Sequence, residues 1–356
     1  MRLALRLAAR AQGRTRPNPM VGAVVVRSGR VVGQGFHRRA GKPHAEVLAL
    51  RQAGMRAAGG TLYVSLEPCA RTGRTPPCTE AIRRAGIRRV VAAMTDPNPL
   101  NRGRGSRWLR ARGIRTETGL LEPAARELVR PFAVRVSRRR PFVTVKVAQS
   151  LDGKIATAGG QSRWISGPQA RAWVHRLRSE SDAVLVGVRT VLKDDPLLTA
   201  RLGTARREPM RVVLDSRLRT PPRAKLFASP APVVIAATRA APARREQALR
   251  RAGAEVVRLP AERGQVSMKA LLRWLAGREV TRLLIEGGGE VIASAFAAGA
   301  VDRVHWVIAP KVIGGRRAPT PVEGMGVPSL RQAVPLKDMR TRRLGADLLV
   351  TANVQT

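Results

Sequence analysis

The chain has 356 residues, 66 of them Lys or Arg and 24 Asp or Glu, for a formal net charge of +42. That length suits two domains with cores of their own, and the 44% hydrophobic content excludes a disordered polycation. No apolar run approaches the ~18 residues that a membrane-spanning helix needs. The opening MRLALRLAAR sets Arg and Leu at helical spacing; without a Ser-rich continuation or clear cleavage site it reads as a first helix in preference to a transit peptide. Val21–Val26 and Arg30–Gln34 follow as a hairpin around Ser28-Gly29, then a helix over Pro43–Ala53 ending at Gly54. Leu62–Leu66 and Arg89–Met94 read as strands; Thr79–Ala85, Arg104–Arg112 and Glu122–Val136 read as helices.

The charge run Ser137–Pro141 is the linker expected between domains 1–138 and 141–356. Beyond it the pattern predicts strands over Phe142–Ala148, Ala183–Gly187, Met210–Leu214, Val233–Ala237, Glu255–Leu259, Arg282–Ile285 and Arg303–Ile308. Helices are expected over Pro168–Ser179, Met268–Gly277 and Glu290–Ala298, with a last hairpin of Thr341–Leu344 and Asp347–Ala352. The Ala/Arg-rich Arg239–Ala254 is the one low-complexity tract. Alternating strands and helices in both halves make this an α/β protein of two domains.

Of the basic residues, 58 are Arg and eight Lys, spread along the whole chain, with aromatics at only 3%. A nucleic-acid binder clusters its basic residues and interleaves aromatics for stacking, so the charge reads as a solvated surface that helps to capture anionic ligands. No specific nucleic acid and no membrane is expected as a partner. The only two cysteines, Cys69 and Cys78, each follow a proline in PCARTGRTPPC. A disulfide framework calls for more pairs and an export signal, so a cytoplasmic protein is expected. The pair reads as metal ligands, with a buried thiol pair or a surface disulfide as the alternatives.

His44 opens a predicted helix, and His44, Cys69 and Cys78 together suit tetrahedral Zn²⁺ with one position left for water. Zinc acidifies such a water, and Glu46, two residues from His44, is placed to carry its proton. H-x-E followed by P-C and a second Cys is the arrangement of zinc nucleobase deaminases. The segments RTRPNPMVGAVVV, GFHRRAGKPHAE, SLEPCARTGRTPPC and MTDPNP resemble the deaminase half of the bifunctional riboflavin-pathway deaminase/reductase family. The long Cys-to-Cys loop is typical of that family. The resemblance implies a substrate pocket lined by Asn18, His37, Arg74, Asp96 and Asn98, with Arg74 near a phosphate. In one place the chain departs from the family: Ala70-Arg71 stands where Ser-His is usual.

In the second half LLIEGGG runs a strand into a glycine turn and a helix, a place where backbone N–H groups meet a pyrophosphate or where the chain simply turns. It is not the GxGxxG of a Rossmann domain. With VTVKVAQSLDGKI, SRWIS, VGVRT, LKDDPLLTAR, RVVLDS and IAPKVIGG, it resembles the reductase half of the same family. The fold implied is a cytidine-deaminase-like α/β/α domain followed by a dihydrofolate-reductase-like α/β domain. The resemblance implies substrate contacts from Lys146, Ser162, Arg178, Leu198, Arg201 and Glu286, and NADPH contacts from Trp164, Thr190, Asp194, Ser216, Gly288 and Gly289. Arg178 and Arg201 are placed as a phosphate clamp or as surface arginines, and Lys146 as the proton donor to the reduced centre.

The function expected is deamination of 2,5-diamino-6-(5-phosphoribosylamino)pyrimidin-4(3H)-one, then NADPH-dependent reduction of the ribosyl group to ribityl. A homo-oligomer, Zn²⁺ and NADPH complete the expectation. Two rivals stand beside it: an enzyme with only its reductase half active, and an RNA-editing or nucleic-acid-binding protein.

Overall fold

The computed structural model describes residues 1–201 and 208–355, and the chain divides into two compact units, Met1–Arg140 and Pro141–Thr356. In the first unit α1 (Arg2–Ala9) precedes the hairpin β1 (Gly22–Arg27) and β2 (Arg30–Phe36). Ser28 and Gly29 join these strands with φ of 48° and 74°, the left-handed pair that a two-residue turn needs to match strand twist. The helix α2 (Ala45–Ala53) packs on the hairpin at Gly33 and Gly35. A Cβ at Gly33 would overlap the Ala49 carbonyl, and one at Gly35 would come within 2.6 Å of Leu48 Cβ. This close approach sets the start of α2, and with it His44 and Glu46.

The unit continues through β3 (Thr61–Val64), α3 (Cys78–Arg84), β4 (Arg89–Ala92), α4 (Arg104–Arg110), β5 (Arg115–Thr118) and α5 (Glu122–Arg138). The sheet order is β2-β1-β3-β4-β5, with β1 antiparallel to both β2 and β3 and the remaining pairs parallel. Ala23 and Val25 face the core with Ala49, Leu62, Ile82 and Leu109, whereas Val24 packs on the other face against Ala4 and Leu7. Helices therefore cover both faces of the sheet. The loops leaving the carboxyl ends of β3 and β4 lie side by side, joined by the Glu67 N–H donating to the Met94 carbonyl at 3.0 Å. Because α5 continues to Arg138 and ends on a left-handed Arg139, the first two residues of the expected linker, Ser137 and Arg138, are helix.

The second unit contains β6 (Phe142–Ser150), α6 (Pro168–Ser179), β7 (Ala183–Gly187), α7 (Val188–Asp194), β8 (Met210–Leu214) and β9 (Val233–Thr238). It goes on with α8 (Ala243–Arg251), β10 (Ala254–Leu259), the small pair β11 (Ala261–Glu262) and β12 (Gln265–Val266), α9 (Met268–Gly277) and β13 (Arg282–Ile285). It ends with α10 (Gly289–Ala297), β14 (Arg303–Ala309), β15 (Leu336–Leu344) and β16 (Asp347–Val354). Its nine-stranded sheet has the order β10-β9-β8-β7-β13-β6-β14-β16-β15. The strands are parallel from β10 through β14, and β16 and β15 add as antiparallel neighbours. Apolar clusters cover both faces, one around Val145, Leu185, Leu271 and Ile285, the other around Val184, Val213, Ile235 and Leu284. No helix among the described residues is long and apolar enough to cross a membrane.

Candidate active sites

In the first unit the site forms where α2 and α3 begin. His44 is the N-cap of α2 and Cys78 opens α3. Cys69 lies in the loop after β3, where its carbonyl accepts from Thr79 N at 3.2 Å and its sulfur from Cys78 N at 3.4 Å. His44 Nδ1 is 3.1 Å from Cys78 Sγ and 3.6 Å from Cys69 Sγ, and the three ligand atoms all lie within 4.8 Å of one another. One imidazole nitrogen and two sulfurs converging this closely fit zinc. The thiols share their protons unequally: a hydrogen bond from Cys78 holds Cys69 down to about 4, and the same bond pushes Cys78 up. The site thus keeps a thiolate ready for a cation.

The far nitrogen of His44, Nε2, lies 3.2 Å from Thr75 Oγ1. Such a contact fixes an imidazole's tautomer and ring orientation. Replacing Thr75 with Ala is expected to weaken zinc affinity about 10- to 100-fold, measured by competition with a chromogenic chelator. An unchanged affinity would remove Thr75 from the site.

Glu46, in the first turn of α2, is 4% exposed, and burial pushes its carboxyl up. His37 is buried; its Nδ1 faces the Pro43 carbonyl at 3.2 Å and its Nε2 the Asn18 amide nitrogen at 3.0 Å. A carbonyl only accepts, so Nδ1 carries the proton and Nε2 accepts from Asn18. Burial lowers the pKa of His37, in keeping with that neutral form. Asp96 is likewise buried and raised by desolvation, with its oxygens accepting from Asn98 N at 2.8 Å and Asn101 Nδ2 at 2.9 Å.

These groups surround a cavity of about 360 Å³. Asn18, His37, Asp96 and Asn98 line it together with His44, Glu46 and Cys69, whereas Arg74, which the resemblance also gave to the pocket, is not among its lining residues and Arg71 is. Three residues that sequence reasoning passed over hold the loops in place. Glu67 accepts from the N–H groups of Asp96, Gly103 and Ser106 at 2.9–3.1 Å. Asn101 accepts from Ala70 N at 3.1 Å while donating to Asp96, and Thr75 backs His44. Glu67 stands in the SLEPC segment two residues before Cys69, the one sequence signal that could have pointed to it.

The second unit holds a cleft with two lobes. One, of about 580 Å³, is lined by Trp164, Arg178, Leu198 and Arg201; the other, of about 240 Å³, by Arg189, Lys193 and Gly287–Gly289. Lys146, Ser162, Thr190, Asp194 and Glu286 line both. Lys146 projects from the middle of β6, and burial lowers its pKa, Glu286 opposing that shift and Arg178 adding to it. Arg178 grips Glu286 with Nε and Nη2, at 2.6 and 2.9 Å, and donates Nη1 to the Thr199 carbonyl at 3.1 Å. That engagement holds Glu286 toward Lys146, a different occupation from the phosphate clamp expected of Arg178. Arg201 donates only to Thr199 Oγ1, at 3.3 Å, among the contacts described.

Ser162 Oγ donates to Asp194 Oδ1 at 2.8 Å. Trp164 stands 63% exposed with the Arg171 guanidinium 4.6 Å from its ring centre, in the lobe of Arg178 and Arg201. Gly288, at φ 80°, is the N-cap of α10, and a Cβ at Gly289 would come within 2.7 Å of the Thr320 carbonyl. Ser216 lines neither lobe; its hydroxyl joins Gln265 and Val266 N at 3.0 and 3.1 Å.

Comparison with known proteins identifies both units. Residues 1–94 match the family model for the cytidine and deoxycytidylate deaminase zinc-binding region, and residues 141–350 the model for the RibD C-terminal domain. The riboflavin biosynthesis protein RibD of Aquifex aeolicus is 44% identical over 98% of this chain and 96% of its own. That of Escherichia coli is 38% identical over 98% and 96%. The solved structure of Acinetobacter baumannii RibD superimposes with a TM-score of 0.90 at 37% identity, covering 100% of this chain and 98% of that one. A Thermotoga maritima diaminohydroxyphosphoribosylaminopyrimidine deaminase/5-amino-6-(5-phosphoribosylamino)uracil reductase gives 0.85 at 34% identity, covering 100% and 97%. A cytidine-deaminase-like zinc-binding unit is therefore followed by a dihydrofolate-reductase-like unit, and the chain belongs to the RibD family of riboflavin-biosynthesis enzymes, deaminase and reductase in one polypeptide.

Proposed function

We propose that the first unit hydrolyses the ring amine of 2,5-diamino-6-(5-phosphoribosylamino)pyrimidin-4(3H)-one and that the second reduces the ribosyl group of the resulting 5-aminouracil to ribityl with NADPH. The observation that carries this reading is the buried Glu46 carboxyl in one cavity with His44 and Cys69, beside Asn18, His37 and Asp96. Zinc bound by His44, Cys69 and Cys78 supplies Lewis acidity that makes water a nucleophile near neutral pH. Glu46, shielded from solvent, carries the attacking water's first proton to a ring nitrogen and then the proton of the new hydroxyl to the departing amine, so that the C–N bond breaks, the carbonyl forms and ammonia leaves. The Asn18 amide, fixed by His37, and the Asp96 carboxyl offer donor and acceptor to the pyrimidine edge.

In the second unit NADPH supplies hydride when bound. The Gly287–Gly289 turn, the start of α10, and the cations Arg189 and Lys193 suit its phosphates. The larger lobe takes the phosphoribosyl chain, with Arg201 toward the phosphate. Lys146, where the lobes meet, holds the proton that accompanies the hydride, and Glu286 keeps that ammonium oriented. The free thiols Cys69 and Cys78 suit a reducing cytoplasm. The exposed edge strand β15 suits pairing with a second copy.

Mass spectrometry of the product tests the assignment. Without NADPH the deaminated ribosyl compound is expected, and with NADPH the ribityl compound. A ribityl product that retains both amines would contradict the proposed order.

A further inference from the structure

Arg71 is the only Lys or Arg among the described residues that line the first unit's cavity; the other ionisable groups there are the carboxyls Glu46, Glu67 and Asp96, the Cys69 thiol, the His44 imidazole and the neutral His37 imidazole. A phosphorylated ligand entering among three carboxyls needs a cation to offset their repulsion. Burial orders the cavity from floor to rim: Glu46 is 4% exposed, whereas Arg71 is exposed at the mouth beside Thr72 and Gly73. A pyrimidine that reaches Glu46 trails its phosphoribosyl arm toward that mouth. The Arg71 guanidinium has no hydrogen bond or ion pair with any described residue, so its fork of five donors is available to an oxyanion. Arg74, three residues on, is outside the lining set and already has a partner.

We infer that Arg71 is the specificity residue that grips the substrate's 5-phosphate in the deaminase pocket, a task that the family resemblance gives to Arg74. The inference rests on the deaminase reading above and adds to it that guanidinium in place of the usual imidazole is gainful for this chain. A planar guanidinium binds phosphate through two parallel hydrogen bonds, which neutral imidazole does not.

The test compares the phosphorylated substrate with its dephosphorylated nucleoside in wild type, R71A, R71H and R74A, with zinc content measured on each protein. R71A is expected to raise KM for the phosphorylated substrate by about 10- to 100-fold, the loss of a charge-assisted hydrogen-bond pair, with kcat, zinc content and KM for the nucleoside unchanged. R71H is expected to recover part of that loss. An equal rise in KM for both substrates in R71A, or a larger phosphate-selective loss in R74A than in R71A, would overturn the assignment. Calorimetric titration of the phosphorylated substrate into wild type and R71A separates this from the deaminase reading. If wild type releases no ammonia, the deaminase reading fails, and the difference in binding still decides Arg71: tenfold or more weaker binding by R71A supports it, and equal binding refutes it.

Discussion

Replacing Glu46 with Gln is expected to slow ammonia release by about 10²- to 10⁴-fold, the range for losing a positioned general acid–base group, while reduction of the deaminated intermediate stays within about twofold. The side chain is almost isosteric, so packing at the start of α2 is kept and the loss falls on proton transfer. Glu46 is 4% exposed and lies in the first turn of the helix that His44 caps. Water cannot easily replace it as a proton carrier there. The reductase cleft is built wholly from residues of the second unit, so a folded E46Q protein has no reason to lose that activity. Measuring ammonia from the diaminopyrimidine and NADPH oxidation with the deaminated compound, on the same preparation, checks both halves. Loss of both activities in a folded E46Q would contradict the two-site account.

The second large effect belongs to Lys146. K146M is expected to lower the reduction rate by about 10²- to 10⁴-fold and to leave ammonia release unchanged. Its pH dependence has a defined sign. The protonated ammonium is the acid, and burial lowers its pKa from the free-lysine value of 10.5. Reduction is therefore full below the depressed pKa and falls as pH rises through it, with the alkaline limb below 10.5. Glu286 stabilises the ammonium and raises its pKa, so E286Q is expected to move the limb to still lower pH. R178A is predicted to cost about 3–5 kcal/mol of stability in denaturant unfolding, since it removes the guanidinium that hydrogen-bonds the buried Glu286 carboxylate through two nitrogens. A kcat–pH profile for wild type, E286Q and K146M tests the set; a limb that moves upward in E286Q would refute the role given to Lys146.

How much of this was legible in the sequence depended on how much side-chain contrast each segment carries. The hairpin at Ser28-Gly29, the helix expected over Pro43–Ala53 and found over Ala45–Ala53, and the strands Ala183–Gly187 and Met210–Leu214 have strong turn signals or unbroken apolar runs, and they stand where expected to within two residues. The zinc ligands were readable because only two cysteines exist and both flank one loop. β5, by contrast, reads RTET and buries no residue fully, so neither alternation nor an apolar run announces it. α8 is concealed in an Ala/Arg-rich tract, held by Leu249 as its one buried residue. α7 follows β7 without a break and contains β-branched Val188, Thr190 and Val191, a pattern that resembles a longer strand.

The site shows the same division. Residues that do chemistry sit in compact motifs, but those that hold them were not visible one segment at a time. Glu67 binds three backbone N–H groups from the β4–α4 loop and the first turn of α4, Asn101 joins the loop of Cys69 to Asp96, and Thr75 meets His44 from 31 positions away. These are long-range pairings that only the folded loops create. Arg178 was read as a surface or phosphate-facing arginine for the same reason: its partner Glu286 is 108 residues distant.

The most direct test of the central claim follows ammonia and NADPH together after the diaminopyrimidine phosphate is added to the zinc-loaded protein. Two working sites predict ammonia release that begins at once, NADPH consumption that starts after a lag and ends with one NADPH oxidised per ammonia released. NADPH consumed only when deaminated substrate is supplied, with no ammonia from the diamine, would contradict the account and leave this chain a reductase alone.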